Sequence, residues 1–206
     1  GEIWLADLEP TKGREQADIT GLIGQYAHGN EPSHHMAYLY CFAGQPRKTQ
    51  ERVREILDTL YADRPDGLCG NEDCGQMSAW YVFSALGFYP VAPGSTQYAI
   101  GTPLFTSATI TLGNGRSFTV RANNPSSTNK YIQRARLSGG TYDFSFLDHA
   151  ALAVGGEIAF EMGAEPSVRW GVGRGAQPTS AITDVRVVPV PFIAHGTRVF
   201  RGSQSV

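Results

Sequence analysis

The sequence predicts an α+β fold with its helices ahead of its strands. Three observations carry this: an apolar stripe at helical spacing over residues 46–62, a largely apolar run closed by glycine over 75–86, and a change to period-two alternation after about residue 100. In the first, Val53, Ile56, Leu57, Leu60 and Tyr61 fall at i, i+3, i+4, i+7 and i+8, while Arg52, Arg54, Glu55 and Asp58 lie mainly off the stripe and Pro46 suits the first turn. In the second, Met77, Trp80, Val82, Phe83 and Leu86 cover more than one face, so this helix is expected to be buried on most sides by more protein than the chain supplies. A further helix is expected over 33–43, with Ser33 as cap and Gly44 as stop.

Residues 1–32 hold Gly13, Gly21, Gly24 and Gly29 among polar residues and are expected to be mostly loop, with a short helical piece at Trp4–Leu8. Beyond residue 100, Ile110 and Leu112 alternate with threonines, Asn114-Gly115 marks a turn, and Phe118 and Val120 continue the alternation, which is a hairpin signal. Tyr131–Leu137, Tyr142–Phe146 and Glu157–Met162 alternate as well, so 100–165 is expected to form an antiparallel sheet or sandwich. Val185–Val190 is expected as an edge strand, limited by Pro189 and Pro191. The domain organisation expected is 1–97 for the helices and their loops and 98–206 for the β portion with a Gly/Pro-rich tail.

With 17 basic residues against 19 acidic in 206, and no Lys/Arg run, a nucleic-acid face is excluded as an expectation. No apolar stretch approaches the ~20 residues of a membrane span. The chain starts at Gly1 without Met, which suits a processed product or a piece of a longer protein. Three cysteines, Cys41, Cys69 and Cys74, cannot all pair with one another.

Chemistry is concentrated in two loops, Gln25–His35 and Asp66–Gln76, each just ahead of an expected helix N-terminus. Loop side chains and free helix amides can there converge on one ligand. Capping alone accounts for one or two such residues, and Glu72 or Asp73 can serve the helix dipole without any further role. It does not account for His28, His34 and His35 together with the adjacent acids. Zinc is disfavoured because His34 and His35 are neighbours and not an i, i+4 pair. A cysteine nucleophile at Cys69 or Cys74 has no surrounding signature. Aromatic residues crowd the same region, which suits stacking on a sugar ring, and glycosidic chemistry needs two carboxyl groups, one acid and one base.

The stretches Gly21–His35, Gly44-Gln45-Pro46 with Lys48-Thr49-Gln50, and Asp66–Tyr81 closely resemble the C-terminal half of the alpha-mannosidases of glycoside hydrolase family 92. The resemblance continues through Gly87–Val91, Asn114-Gly115, Asn129–Gln133, Met162-Gly163 and Trp170-Gly171, roughly residues 17–171. It implies a calcium-dependent, inverting exo-alpha-mannosidase, alpha-1,2-specific, bacterial, and secreted or periplasmic. It also implies an N-terminal β-sandwich, an (α/α)6 barrel of which only the last helices are here, and a general-acid glutamate upstream of Gly1. By matched motif Asp73 is the implied general base, with Asn71 and Glu72 beside it; some relatives carry a second acid at the Asn71 position. Asn30 and Glu31 correspond to positions that meet either the leaving-group sugar or the calcium shell, and the two jobs stay open. Asn30 and Glu31 suit Ca2+ better than any histidine because calcium takes hard oxygen ligands. His28, His34, His35, Gln76 and Trp80 are the remaining implied substrate contacts. The implied partners are mannose-containing glycans and the remainder of the chain's own longer protein. The alternative is a noncatalytic carbohydrate-binding or structural module, which release of mannose by this chain alone would decide.

Overall fold

The structure is a computed structural model that describes residues 19–180. The expected pieces at Trp4–Leu8 and Val185–Val190 lie outside them. Strands β1 (Leu22–Ile23) and β2 (Tyr26–Ala27) pair antiparallel and open the described chain. The expected helix over 33–43 is instead two 3-10 turns, Glu31–Ser33 and Met36–Tyr38, running into a single turn of α-helix, α1 (Leu39–Phe42). Competing hydrogen bonds explain this correction. The His34 carbonyl, which a continuous helix would give to the Tyr38 N–H, accepts from Trp80 Nε1 at 3.0 Å, and Tyr38 N–H turns to the His35 carbonyl. Ser33 does not cap; its hydroxyl donates to the carbonyls of Ala27 and Asn30.

Helix α2 (Pro46–Thr59) has Pro at its first position and buries Val53, Ile56 and Leu57 at i, i+3, i+4, as the stripe requires. It stops three residues short of the expected 62 because Tyr61 bridges to Leu68, closing a tight turn. Helix α3 (Gln76–Leu86) lies between Gly75 at its N-cap and Gly87, whose φ of 101° no other L residue adopts easily. It buries Met77, Trp80, Ser84 and Ala85, yet Val82 on the opposite side is 55% exposed, so within the described residues α3 is covered on one face only.

Strands β3 (Phe88–Tyr89), β4 (Gln97–Ile100) and β9 (Phe146–Asp148) form a three-stranded antiparallel sheet. β5 (Ser107–Thr111), β6 (Ser117–Asn123), β7 (Tyr131–Leu137), β8 (Gly140–Thr141) and β10 (Gly156–Gly163) form a second sheet in the order β5-β6-β10-β7-β8, and α4 (His149–Ala153) follows β9. Two expectations are corrected here. The sheet is mixed, since β10 inserts between β6 and β7 and runs parallel to β6; alternation reveals which face a residue occupies but not strand direction. Tyr142–Phe146 is not one strand, because its backbone bonds go elsewhere: the Tyr142 carbonyl accepts from Trp170 Nε1, and Ser145 N–H and hydroxyl both donate to the Ala176 carbonyl.

Both sheets pack on one core containing Phe88, Ile100 and Leu147 from one and Phe118, Val120, Ile132, Ile158 and Phe160 from the other. A second core gathers Tyr26, Tyr38, Cys41, Val53, Ile56 and Trp80, and it reaches Ala99 of β4. Consecutive residues Ala99 and Ile100 thus serve different cores, so a boundary at 97/98 falls within β4. Gln50 of α2 ties the two halves, its Oε1 accepting from the Ile132 N–H at 3.1 Å.

A glycine pair tests this packing. Gly94 (φ 81°) has no atom within 4 Å of an added Cβ, whereas at Gly87 a Cβ would meet Pro103 at 3.2 Å. Gly94→Ala should cost roughly 1 kcal/mol from backbone alone, and Gly87→Ala more, about 2–3 kcal/mol. Urea midpoints of the two variants check this; equal shifts would mean that Pro103 gives way freely.

Candidate active site

The two polar loops meet. Backbone presses on backbone: a Cβ at Gly70 would lie 2.9 Å from Gly29 Cα and from the Gly29 carbonyl oxygen, and one at Gly21 would strike Cys69 Sγ. Glycine at 70 is what permits an approach this close. Side chains then lock the pair. His34 Nε2 donates to the His28 carbonyl at 2.9 Å, its Nδ1 accepts from Gln76 Nε2 at 3.1 Å, and the same Gln76 nitrogen donates to the Tyr89 hydroxyl. Residues from both loops and the first turn of α3 are therefore joined through one imidazole.

His28 lies beneath. Its ring stacks on His34 at 4.7 Å and meets Trp80 edge-on at 4.4 Å. The Tyr61 hydroxyl donates to the Met77 carbonyl, so it accepts from His28 Nε2, and His28 Nδ1 accepts from Tyr26. Burial, aided by the neighbouring His34, pushes the His28 pKa down to about 3. Burial also lowers that of His34, against the opposing pull of the His28 carbonyl and the Glu31 and Asp73 carboxylates. Both imidazoles are neutral near pH 7.

His28 and Trp80 are fully buried and His34 is 2% exposed, so within the described residues they pack beneath the loops. His35 is exposed, and Gln76 is half-buried with its amide nitrogen committed to His34 and Tyr89. Glu72 is exposed and acts as the helix cap that the loop composition allowed: its two oxygens accept from the Ser78 N–H at 2.9 Å and the Ser78 hydroxyl at 2.7 Å, which lowers its pKa. Asn71, also exposed, is its neighbour.

Asp73 differs. It is half-buried, and it begins a run of three left-handed residues, Asp73 (φ 50°), Cys74 (φ 57°) and Gly75 (φ 94°), that turns the chain into α3. Strained non-glycine positions of this kind cluster where a side chain must be held in one place. Across the loop contact, Asn30 and Glu31 are half-buried, and the Asn30 side chain makes no cap hydrogen bond. Glu31 and Asp73, one from each loop, both favour the charged form of His34 against its burial. The cleft of about 500 Å3 between the 61–68 turn and α3, lined by Tyr61, Arg64, Leu68 and Tyr81, is not lined by Glu31, Glu72 or Asp73.

Asn30 and Glu31 supply hard oxygens, and this donor chemistry suits calcium. Their number does not complete a shell of six to eight ligands, and among the described residues no group of three or more His, Cys, Asp and Glu side chains is gathered around an ion site. Activation of a thiol has no support: burial pushes Cys41 up to about 12 and raises Cys69 as well, the reverse of a nucleophile.

The sequence profile of the glycosyl hydrolase family 92 catalytic domain matches residues 4–164. The chain belongs to this family. An uncharacterised secreted glycosidase of Arthroderma benhamiae is 36% identical over 155 residues, covering 74% of this chain and 20% of its own. A family 92 alpha-mannosidase of Bacteroides thetaiotaomicron, solved in complex with mannoimidazole, superposes with a TM-score of 0.82 at 42% identity, over 85% of this chain and 23% of its own. A family 92 inverting mannosidase of the same organism gives 0.72 at 46% identity, over 76% and 21%. The chain thus spans about a fifth of the length of these relatives.

The partners missed from sequence are Tyr26, Tyr61 and Tyr89 as the hydroxyls around the histidines, and the Gly29–Gly70 contact. Glycine in both loops was the available signal. Protonation tests the support. An imidazole whose folded pKa is depressed leaves stability intact above the unfolded value of 6.5, and loses it as pH falls towards about 3, because only the unfolded chain takes up the proton. The urea stability should therefore fall below pH 6.5 by about 1.4 kcal/mol per pH unit for each imidazole that stays neutral. His28→Asn should flatten that slope; an unchanged slope would show that His28 titrates normally.

Proposed function

We propose that this chain is the base-bearing part of an inverting exo-alpha-mannosidase that releases terminal mannose from alpha-1,2-linked glycans. The observation that carries this reading is the placement of Asp73, half-buried on a left-handed turn at the entry of α3, in the loop whose Gly70 presses on Gly29 beside Asn30 and Glu31. Inversion needs a carboxylate to take the proton of an attacking water and an acid to protonate the leaving oxygen, roughly 6.5–9.5 Å apart. Asp73 is the base. The acid belongs to a part of the relatives' length that this chain does not span, as do the other helices of an (α/α)6 barrel to which α2 and α3 contribute. The one-sided covering of α3 supports that arrangement. Asn71 and Gln76 lie within three residues of the base, His35 and Asn30 are exposed and half-buried polar groups open to a sugar, and Glu72 holds the turn. The secreted fungal relative supports an exported protein.

Calcium, held by Glu31 and Asn30 together with groups from the rest of the protein, would polarise or orient sugar hydroxyls. Glu31 keeps its place through the 3-10 turn that it opens, whose end is closed by the His34 N–H on its carbonyl.

In the full-length enzyme, Asp73→Asn keeps the volume and removes the proton acceptor, so kcat on an aryl mannoside should fall about a hundredfold or more. A kcat within a few-fold of wild type would leave Asp73 as a turn residue only. Efficient mannose release by residues 1–206 alone would overturn the division of acid and base.

A chelator should abolish activity and added calcium restore it. Glu31→Gln should raise the calcium concentration for half-maximal activity if Glu31 is a ligand, and should change KM instead if it meets the leaving sugar. Activity that survives chelation removes the metal from the reading.

A further inference from the structure

A second cleft, of about 700 Å3, lies on the β portion where β7 and the 141–144 segment meet the loop after Trp170. Its walls carry four arginines, Arg134, Arg136, Arg169 and Arg174, against one carboxylate, Asp143. All four are exposed, in a chain whose net charge is -2. None lies within ion-pair distance of a carboxylate among the described residues, although Glu161 stands opposite Arg134 in the β10–β7 register. Of the four side chains, Arg136 alone makes a hydrogen bond among the described residues, to the Gly139 carbonyl at 3.4 Å. Four like charges around one cleft repel each other, and a bound oxyanion relieves that repulsion while accepting paired N–H bonds from the guanidinium forks.

An aromatic face completes the cleft. Phe144 is 44% exposed on its wall, and it is held at its angle by Tyr142 and Phe146, whose ring centroids lie 5.3 and 5.4 Å away. A fixed ring open to solvent beside polar groups is suited to the C–H face of a sugar. We infer that this cleft is a binding site for a sugar that carries an oxyanion, a phosphate or a carboxylate, with the arginines on the anion and Phe144 on the ring. It uses none of the residues assigned to hydrolysis and stands or falls independently of that assignment.

Calorimetry on the full-length protein at low salt tests this with glucose 6-phosphate, glucuronate, glucose and inorganic phosphate, probes that avoid mannose recognition. Glucose 6-phosphate or glucuronate, whichever anion the site prefers, should bind about tenfold or more tightly than glucose and than inorganic phosphate, and should weaken steeply on raising salt from about 0.02 to 0.5 M. Arg134→Met with Arg169→Met should weaken that binding about tenfold or more while kcat on an uncharged aryl mannoside is unchanged. Phe144→Ala should remove the preference for the sugar over the bare anion. Binding of inorganic phosphate as tight as that of the anionic sugars would overturn the sugar, unchanged binding in the double variant would overturn the site, and no binding of any probe would mean that the cleft is a surface covered by another part of the protein.

Discussion

Everything at the candidate site depends on the backbone contact between Gly29 and Gly70 and on the imidazole that crosses it. A side chain at Gly70 would run into the Gly29 backbone, and one at Gly29 into Thr20. The histidines matter as neutral groups in this arrangement. His34 must both donate, to the His28 carbonyl, and accept, from Gln76, and an imidazolium can only donate. Burial among Trp80, Tyr61 and Tyr26 keeps both rings in the form that the lock requires.

The two adjacent acids stand in different settings. Glu72 is tied by two bonds to Ser78 at the start of α3, one on each carboxylate oxygen. Asp73, next in sequence, is swung away from that cap by the reversal of backbone hand at 73–75. The cap that Glu72 makes on Ser78 fixes the frame in which Asp73 stands.

Much of the fold was legible in the sequence. The α2 stripe, the glycine stop of α3 and the Asn114-Gly115 hairpin are local signals, and each is found within a few residues of its expected place. What escaped was decided by distant partners. The helix expected at 33–43 broke into 3-10 turns because Trp80, more than forty positions away, takes a carbonyl that helix would need. β10 was legible as a strand but not as a parallel one. At the site, both loops were found from their polar residues, yet histidine and tryptophan in a polar loop look alike whether they face a sugar or support the loop from beneath; only burial separates the two. Membership of glycosyl hydrolase family 92 agrees with the resemblance seen in the loop motifs themselves.

The insertion of β10 between β6 and β7 bears on how the chain is made. As a nascent polypeptide leaves the ribosome, β5 and β6 can zip into a hairpin at once, but the other edge of β6 waits until residues 156–161 have emerged. During that interval a strand bearing Phe118 and Val120 offers open hydrogen-bonding groups to any neighbour, the usual opening for misassembly between chains. β7 is equally incomplete until the same moment, so the last strand closes both gaps in one step. A ribosome stalled before Gly156 would therefore hold two separate hairpins, β5-β6 and β7-β8, each with an edge left open for β10, and synthesis rate through residues 124–155 sets how long a cell must shield them.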